Sequence, residues 1–261
     1  MNVATSPVML ESQRVRQEIR AGRITGTSRG LAHGFVQVNL AILPKQYAFD
    51  FLLYCQRNQR SCPVLEVTDP GSPVPRKLAP GADLRTDCAL YAIYRDGVRV
   101  EDRTDIVDLW RDDLVSFLIG SGITIDGPLE RAGVPTHKNR WVLRTTLPTE
   151  PAGPFYGDLI VTMRWLIAPQ ALIATQVTSR FPFNHGAPIH IGDPAAIGAD
   201  LNAPLFGPPV PPTPKDIVPV FWACGVTPQS AAENASLPLF IAHAPAHSFI
   251  TDMPSEALMN P

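Results

Sequence analysis

Proline is the feature that most limits what this chain can fold into. The sequence contains 28 prolines among 261 residues, about twice the usage of an ordinary globular protein. Proline lacks a backbone N–H donor and interrupts helices, and many of these prolines follow residue 180. We therefore expect the second half of the chain to consist of short elements joined by rigid turns.

Hydrophobic periodicity predicts a mixture of helices and strands. Prolines at first-turn positions and the apolar spacing predict helices over residues 8–20, 44–58, 105–118 and 169–177, and after Thr227. Ser6 and Asp105 are the expected N-caps of the first and third of these helices. Strands are predicted over residues 36–42, 64–67, 143–147, 159–165, 218–224 and 237–243, and a hairpin over 91–100 because Asp96-Gly97 favours a tight turn.

Charge and composition exclude several classes of protein. A formal net charge of −2 argues against a nucleic-acid partner. The four cysteines contain no C-x-x-C spacing and predict neither a disulfide framework nor a zinc ribbon. The N-terminus shows no secretory signal, and the apolar run over residues 114–125 is too short to span a bilayer. We expect a cytoplasmic protein with a small-molecule partner; self-association stays open.

Four segments combine reactive side chains with turn residues, as loops that carry functional sites do. In the first, Arg57 and Asn58 end a predicted helix, where they either clamp a substrate carboxylate or complement the helix dipole. In the second, Arg85 lies in the run DLRTD, whose alternating charges form either a binding face or surface ion pairs.

The third segment, residues 178–194, is the strongest candidate. Histidine is the side chain best suited to proton transfer near neutral pH, and prolines and glycines stiffen the backbone around two of them. A structural role is the alternative. Its candidate residues are Thr178, Ser179, Arg180, His185, His190 and Asp193.

The fourth segment is the pair of C-terminal strands with their loops. Cys224 stands close to the start of a predicted helix, a position that favours a thiolate, although a small buried hydrophobic role is commoner for cysteine. His243, His247 and Asp252 follow it and are further candidates for proton transfer.

The histidines do not predict a metal site. His243 and His247 are four residues apart, but Pro245 argues against a helix that presents both, and there is no H-E-x-x-H motif. No Walker loop, no G-x-G-x-x-G at a helix start and no G-x-S-x-G elbow occurs. We therefore expect neither a metal nor a nucleotide cofactor.

Taken together, these segments resemble the D-glutamate cyclase family. The matching runs are GLAHGFVQVNLAILP (30–44), CQRNQRSCPVLEV (55–67), DLRTD (83–87), YRDG (94–97), LWRDDLVSFLIG (109–120), PAGPFYG (151–157), TSRFPFNHGAPIHIGDP (178–194), VPVFWACGVTPQ (218–229) and HAPAHSFITD (243–252). They keep the family's order and span nearly the whole chain.

The resemblance implies an α/β enzyme of mixed α+β elements with two subdomains, a three-layer sandwich core and a smaller α+β two-layer insertion. The division expected is an N-terminal helix and linker over residues 1–28 and a catalytic unit over 29–261, with the insertion at about 91–179. The resemblance also implies a hydro-lyase that needs no organic cofactor. The family activity is reversible dehydration of D-glutamate to 5-oxo-D-proline.

The chain departs from the family pattern at two places where polar groups would touch a substrate. Ser121–Asp126 reads SGITID, where the family is close to Cys-Ser-Phe-Ser-Phe-Glu. Trp141–Thr146 reads WVLRTT, where the family tends to Pro-Met-Tyr-Arg-Thr-Asn. A thiol and the reach of a carboxylate are therefore expected to be lost. Ala242 also stands where threonine is usual.

Cyclising glutamate requires a general base, a general acid and a cationic clamp for the α-carboxylate. The groups expected in these roles are Arg180 or Arg85 as the clamp, helped by Ser179 and Thr178, His185 with His243 or His247 as proton carriers, and Asp193 or Asp252 to fix an imidazole tautomer. Dehydration of a β-hydroxy acid would use the same groups with the base directed at a Cα proton. A binding protein without turnover would also fit these residues, as would a metal-assisted hydratase or hydrolase.

Overall fold

The computed structural model describes residues 9–260. Its helices are α1 (Glu11–Arg20), α2 (Lys45–Arg57), α3 (Asp126–Arg131), α4 (Ala168–Ser179) and α5 (Thr227–Asn234). Its strands are β1 (Phe35–Pro44), β2 (Val64–Val67), β3 (Tyr91–Arg95), β4 (Val98–Arg103), β5 (Leu114–Gly120), β6 (Trp141–Pro148), β7 (Asp158–Ile167), β8 (His190–Ile191), β9 (Ile217–Ala223), β10 (Phe240–His243) and β11 (Phe249–Pro254). Within residues 9–260, none of the helices is long and apolar enough to cross a membrane.

The strands form two antiparallel sheets, and the predicted mixture of helices and strands is confirmed. The large sheet has the order β2-β5-β1-β10-β3-β4, with β11 paired to β1 beside β10. The small sheet has the order β6-β7-β9-β8. The hairpin predicted at Asp96-Gly97 joins β3 to β4 in the large sheet, whereas the small sheet extends from Trp141 to Ala223. The division into subdomains stays a prediction, and the hairpin is not part of the small sheet.

Strand β1 presents different chemistry on its two faces because side chains alternate along a strand. Ile42 belongs to the apolar core on one face of the large sheet. Ala41 and Leu43 belong to the core on the other face, where α2 packs. Gln37 and Asn39 are buried and share this second face by parity. One face of β1 is therefore polar at its beginning and apolar at its end.

Strand β7 of the small sheet alternates in the same way. Val161 and Met163 pack into one apolar core, whereas Thr162 and Arg164 are buried and turn to the opposite face. The polar faces of β1 and β7 contribute side chains to the same cavity, which lies where the two sheets meet.

The predicted helix over residues 105–118 is wrong. Val107–Leu109 form only a short 3-10 turn, and Leu114–Gly120 form β5, which is paired with β1 on one side and β2 on the other. All seven residues of β5 are buried, and its sequence, LVSFLIG, lacks the apolar–polar alternation that would identify a strand. The apolar spacing therefore matched a helix by coincidence.

The N-terminal helix begins at Glu11, three residues later than predicted, and its expected cap at Ser6 lies outside the described residues. Two ion pairs hold α1 in place, one from the buried Arg16 and one from the more exposed Arg20. Arg16 donates to both carboxylate oxygens of Asp252 at 2.8 and 2.9 Å, and Arg20 donates to Asp87 at 2.7 and 2.6 Å. We call these four side chains the docking cluster.

Candidate active site

A cavity of about 90 Å³, here called the inner cavity, lies between the polar faces of β1 and β7. It is smaller than the roughly 300–1,000 Å³ of pockets for drug-sized ligands, and its size therefore suits a small substrate. Its main polar lining residues are Arg29, Asn39, Ser121, Arg140, Thr162, Arg164, Asn184, His185, Cys224, Gln229, His243 and Ser248.

His185 lines the inner cavity as a neutral imidazole with a fixed tautomer. Its Nδ1 lies 2.9 Å from the backbone oxygen of Arg60, and a carbonyl oxygen only accepts, so Nδ1 carries the proton. Burial lowers the pKa of His185 to about 4, and the charges of Arg140 and Arg60 also lower it. Its Nε2 is therefore an unprotonated lone pair. The residue has φ +76°, an uncommon conformation outside glycine that is often found at functional sites.

His243 lines the same cavity with the opposite tautomer. Its Nδ1 accepts a hydrogen bond from the backbone N–H of Leu40 at 3.3 Å, so in the neutral ring the proton sits on Nε2. Burial lowers its pKa to about 4, and the neighbouring His247 contributes in the same direction. The cavity thus contains one imidazole that can accept a proton and one that can donate a hydrogen bond.

Three arginines line the cavity, and an aspartate outside the lining pairs with two of them. We call Arg29, Arg140, Arg164 and Asp126 the site cluster. Arg164 is 2% exposed, donates to Asp126 at 2.5 Å and also to the backbone oxygen of Thr136. Arg140 lies 3.5 Å from Asp126 and donates to the backbone oxygen of Gly122 at 3.1 Å. One carboxylate therefore serves two arginines.

The positive charges of the site cluster repel one another. Burial lowers the pKa of Arg164 to about 10, and Arg140 is the next cause. Burial also lowers the pKa of Arg29, and Arg140 again contributes. Within residues 9–260, no carboxylate lies within 4.0 Å of Arg29. Because like charges disfavour each other's charged form, an anion that enters this cavity would be bound favourably.

Two buried polar atoms at the cavity wall have no partner in the described part of the chain. They are Oδ1 of Asn184 and Nε of Arg140. The Nδ2 of Asn184 donates to the backbone oxygen of Ser121 at 3.1 Å, which fixes the amide orientation. Buried polar groups rarely go unpaired, and one acceptor with one charged donor suits a ligand that carries both an ammonium or hydroxyl group and a carboxylate.

Two glycines keep the walls close together. A Cβ on Gly225 would overlap the amide of Asn39, whose Nδ2 donates to the backbone oxygen of Gly120 at 2.9 Å. A Cβ on Gly120 would overlap the backbone oxygen of Phe183. The absence of side chains at these positions lets the segment before His185 approach the end of β5, and lets the turn after β9 approach β1.

The segment that departs from the expected family pattern borders this cavity. Ser121 Oγ lies 3.1 Å from Ser248 Oγ, and both hydroxyls are buried. Asp126, the last residue of this segment, does not line the inner cavity, and its carboxylate contacts Arg164 and Arg140. Cys224 lies at the end of β9 with a free, half-buried thiol and also lines the cavity.

The structure separates the residues predicted in segment 178–194. His185 reaches the inner cavity, but His190 and Asp193 do not: Nε2 of His190 lies 2.8 Å from the backbone oxygen of Asp193, and the Asp193 carboxylate caps the next turn at Ala195. The other members also have structural contacts away from the cavity. Thr178 donates to Ala174 and accepts from Trp222, Ser179 donates to Gln176, and Arg180 is exposed.

The other predicted clamp residues also lie outside the cavity. Arg85 donates to both carboxylate oxygens of Asp83, so a local ion pair accounts for it. Arg57 donates to the backbone oxygen of Pro151, and Asn58 bonds to the backbone at Tyr54 and Glu150. These contacts tie the end of α2 to a neighbouring loop.

Asp252 does not fix an imidazole, because its carboxylate is bound by Arg16 and Ser12. Asp193, the other residue predicted for that task, is also committed elsewhere, and backbone groups fix both tautomers instead. His247 lies beside the cavity with Nδ1 2.8 Å from the backbone oxygen of Pro245, and its ring is not part of the lining. Within residues 9–260, no three His, Cys, Asp or Glu side chains converge to hold a metal ion.

Sequence reasoning missed Arg29, Asn39, Arg140, Arg164, Asn184 and Ser248. A signal existed for two of them. Asn39 and Arg164 interrupt the apolar strands FVQVNLAILP and DLIVTMRWLI, where a polar residue is rarely buried without a reason. Arg29, Arg140 and Asn184 lie in irregular segments, and their convergence depends on the tertiary fold.

Comparisons with known proteins identify a family and several relatives of this chain. A family model described as D-glutamate cyclase matches residues 115–252. A provisionally named hydro-lyase of Bacillus licheniformis is 50% identical over 93% of this chain and 94% of that protein. Another, of Bordetella petrii, is 50% identical over 92% of this chain and 93% of that protein. A crystal structure of a nitrogen repressor-like protein from Methanococcus jannaschii covers 88% of this chain and 90% of its own at 16% identity, but its TM-score of 0.37 carries no argument.

Proposed function

The chain belongs to the D-glutamate cyclase family, and we propose that it is a hydro-lyase that interconverts D-glutamate and 5-oxo-D-proline in the inner cavity. The observation that carries this proposal is the pair of buried neutral imidazoles with opposite tautomers beside an excess of arginine. The relatives' names support hydro-lyase chemistry in general, and the choice of D-glutamate follows the family description.

Substrate binding uses the charges and unpaired atoms of the cavity wall. Arg140, whose Nε has no partner within residues 9–260, binds the α-carboxylate, and the charge of Arg164 behind it strengthens the attraction. Oδ1 of Asn184 accepts a hydrogen bond from the substrate ammonium group. These contacts place the amine and the γ-carboxylate of one molecule within the same small cavity, which favours ring closure through proximity.

Ring closure requires proton transfer at both ends of the substrate. The lone pair on Nε2 of His185 takes a proton from the ammonium, and the amine attacks the γ-carboxyl carbon. The N–H on Nε2 of His243 stabilises the negative oxygen of the tetrahedral intermediate. A C–O bond then breaks. The nitrogen loses two protons in all, and the departing oxygen carries both away as water.

The bound substrate adjusts the basicity of His185. In the empty cavity burial and the charge of Arg140 lower its pKa to about 4, which makes it a weak base. A substrate carboxylate beside Arg140 offsets that charge and raises the imidazole pKa above its value in the empty cavity. The positive wall also favours loss of a proton from the substrate ammonium. Both effects reduce the barrier to proton transfer only when the anion is bound.

The test is an NMR time course of the purified protein with D-glutamate, L-glutamate and 5-oxo-D-proline. We expect interconversion of the D forms only. The His185→Ala variant should be slower by roughly 10²–10⁴-fold, the usual contribution of a general base. The matched control is His190→Ala, because His190 lies in the same segment outside the cavity and should leave the rate unchanged.

Absence of turnover with all three acids would contradict the proposal. Equal loss of activity in the two histidine variants would contradict the placement of the reaction in the inner cavity, because only His185 of the two lines it.

A further inference from the structure

A second cavity adjoins the inner cavity, and the proposed reaction does not use it. This outer cavity has a volume of about 230 Å³ and lies between residues 29–37 and residues 123–137. Arg29 and Ile123 border both cavities. The polar face of β1 connects them, because Gln37 lines the outer cavity and Asn39, two residues further on the same face, lines the inner one.

Gln37 supplies an unpaired acceptor to the outer cavity. The residue is 4% exposed, and its Oε1 has no hydrogen-bond partner in residues 9–260. Its Nε2 donates to the backbone oxygens of Ser28 at 3.0 Å and Leu31 at 3.2 Å. Rotating the amide would place oxygen against those two carbonyls, so this orientation is fixed. A buried acceptor without a donor calls for an N–H or O–H group from a ligand.

Two arginines supply unpaired cations to the same cavity. Within residues 9–260, neither Arg29 nor Arg131 has a carboxylate within 4.0 Å. The carboxylates that line the cavity are already engaged, since Asp126 binds Arg164 and Glu130 accepts a hydrogen bond from Thr136. The Nη1 of Arg131 lies 3.4 Å from the position that a Cβ on Gly127 would take, so its guanidinium lies over the cavity wall.

We propose that the outer cavity is a second binding site for a small carboxylic acid that carries an N–H or O–H donor. The carboxylate pairs with Arg29 and Arg131, and the donor reaches Oε1 of Gln37. Because Arg29 borders both cavities, acids in the two sites compete for its charge, and the second molecule binds more weakly than the first.

Equilibrium dialysis with radiolabelled 5-oxo-D-proline tests this proposal, because it counts bound molecules whether or not they are interconverted. We expect two molecules per chain for the wild-type protein. Arg131→Ala should weaken the second site at least tenfold, as expected for loss of a charged hydrogen bond, and leave the first site within roughly twofold. Arg95→Ala is the matched control, because Arg95 is an exposed arginine on the β3–β4 hairpin.

A stoichiometry of one for the wild-type protein, or an unchanged second site in Arg131→Ala, would overturn the proposal. The result is independent of the proposed reaction. Two bound molecules without turnover would support the outer site and contradict the cyclase function. Turnover with only one bound molecule would support the cyclase function and contradict the outer site.

Discussion

The docking cluster and the site cluster each contain a buried arginine paired with aspartate, yet their charges balance differently. In the docking cluster, Arg16 and Arg20 face Asp87 and Asp252, two cations against two anions. In the site cluster, three arginines accompany one aspartate: Asp126 pairs with Arg140 and Arg164, and Arg29 has no carboxylate within 4.0 Å in residues 9–260.

The hydrogen bonds differ in the same direction. Asp252 accepts from both guanidinium nitrogens of Arg16, and none of the four docking side chains has a buried polar atom without a partner. In the site cluster, Nε of Arg140 has no hydrogen-bond partner among the described residues. A balanced and satisfied cluster stabilises the fold, whereas an excess of positive charge with an unpaired donor lowers the free energy of a bound anion. We infer that the balance of charge around an arginine distinguishes a structural role from the ligand-binding role proposed for the site cluster.

The largest effect is expected at Arg16. Replacing Arg16 with Met leaves Asp252 and Asp87 without their buried partner, which should lower the free energy of unfolding by about 3–5 kcal/mol. The activity of the molecules that remain folded should not change. Urea unfolding and kcat/KM measure the two effects, with Arg23→Met, an exposed pair with Glu18, as the control. A loss of kcat/KM without a loss of stability would contradict the structural role of the docking cluster.

Acid should weaken the two regions in different pH windows. The pKa of His185 and of His243 falls from 6.5 to about 4 on folding, so the unfolded chain binds more protons between these values. Stability therefore falls as the pH drops from 6.5 to 4, by roughly 3 kcal/mol for each histidine. The measurement is the free energy of unfolding as a function of pH. The double variant His185→Gln/His243→Gln should flatten the curve in this window.

The docking cluster should lose stability at lower pH. Burial alone would raise the pKa of Asp252, but hydrogen bonds from Arg16 and Ser12 outweigh it and hold the pKa below 3.8. The contribution of Asp252 to the free energy of unfolding is therefore present above pH 3.8 and is lost as the pH falls through the pKa of Asp252 in the folded protein. Asp252→Asn should lower the free energy of unfolding by a constant amount at neutral pH and change the slope of the curve only below about 3.8. A changed slope near neutral pH would contradict this assignment.

An intermediate effect is expected at Arg140. Arg140→Met removes the unpaired donor and one of three repelling charges. We expect kcat/KM for D-glutamate to fall roughly 10- to 150-fold, the equivalent of one charged hydrogen bond, with a smaller change in stability than Arg16→Met causes. Steady-state kinetics measure the change in kcat/KM, and urea unfolding measures the change in stability. Full activity in this variant would show that the cavity arginines do not bind substrate.

The smallest effects are expected at Arg85 and Arg180, which the sequence alone favours as the clamp. Arg85 pairs locally with Asp83, and Arg180 is exposed outside the inner cavity. Arg85→Ala and Arg180→Ala should change the free energy of unfolding by less than about 1 kcal/mol and leave kcat/KM within roughly twofold. A large loss of activity in either variant would return the clamp role to that arginine.

The sequence predicts most elements but only part of the site, and the reasons are physical. Turn residues and alternation identify β1, β7 and the hairpin because these signals are local. The residues of β5 favour a helix in sequence because burial on both faces removes alternation. His185 and His243 are predictable from residue type, whereas the partners of Arg140 and Arg16 lie 14 and 236 positions away in the sequence. A count of charges around each arginine therefore requires the tertiary structure.

The central claim is that two neutral imidazoles with opposite tautomers share the inner cavity. Nitrogen-15 NMR of the histidine rings, with His185→Gln and His243→Gln used for assignment, tests it most directly. At a pH of about 6, between the lowered and the ordinary histidine pKa, we expect both rings to be neutral, His185 with its proton on Nδ1 and His243 with its proton on Nε2. Two cationic rings at that pH, or the same tautomer in both, would contradict the account.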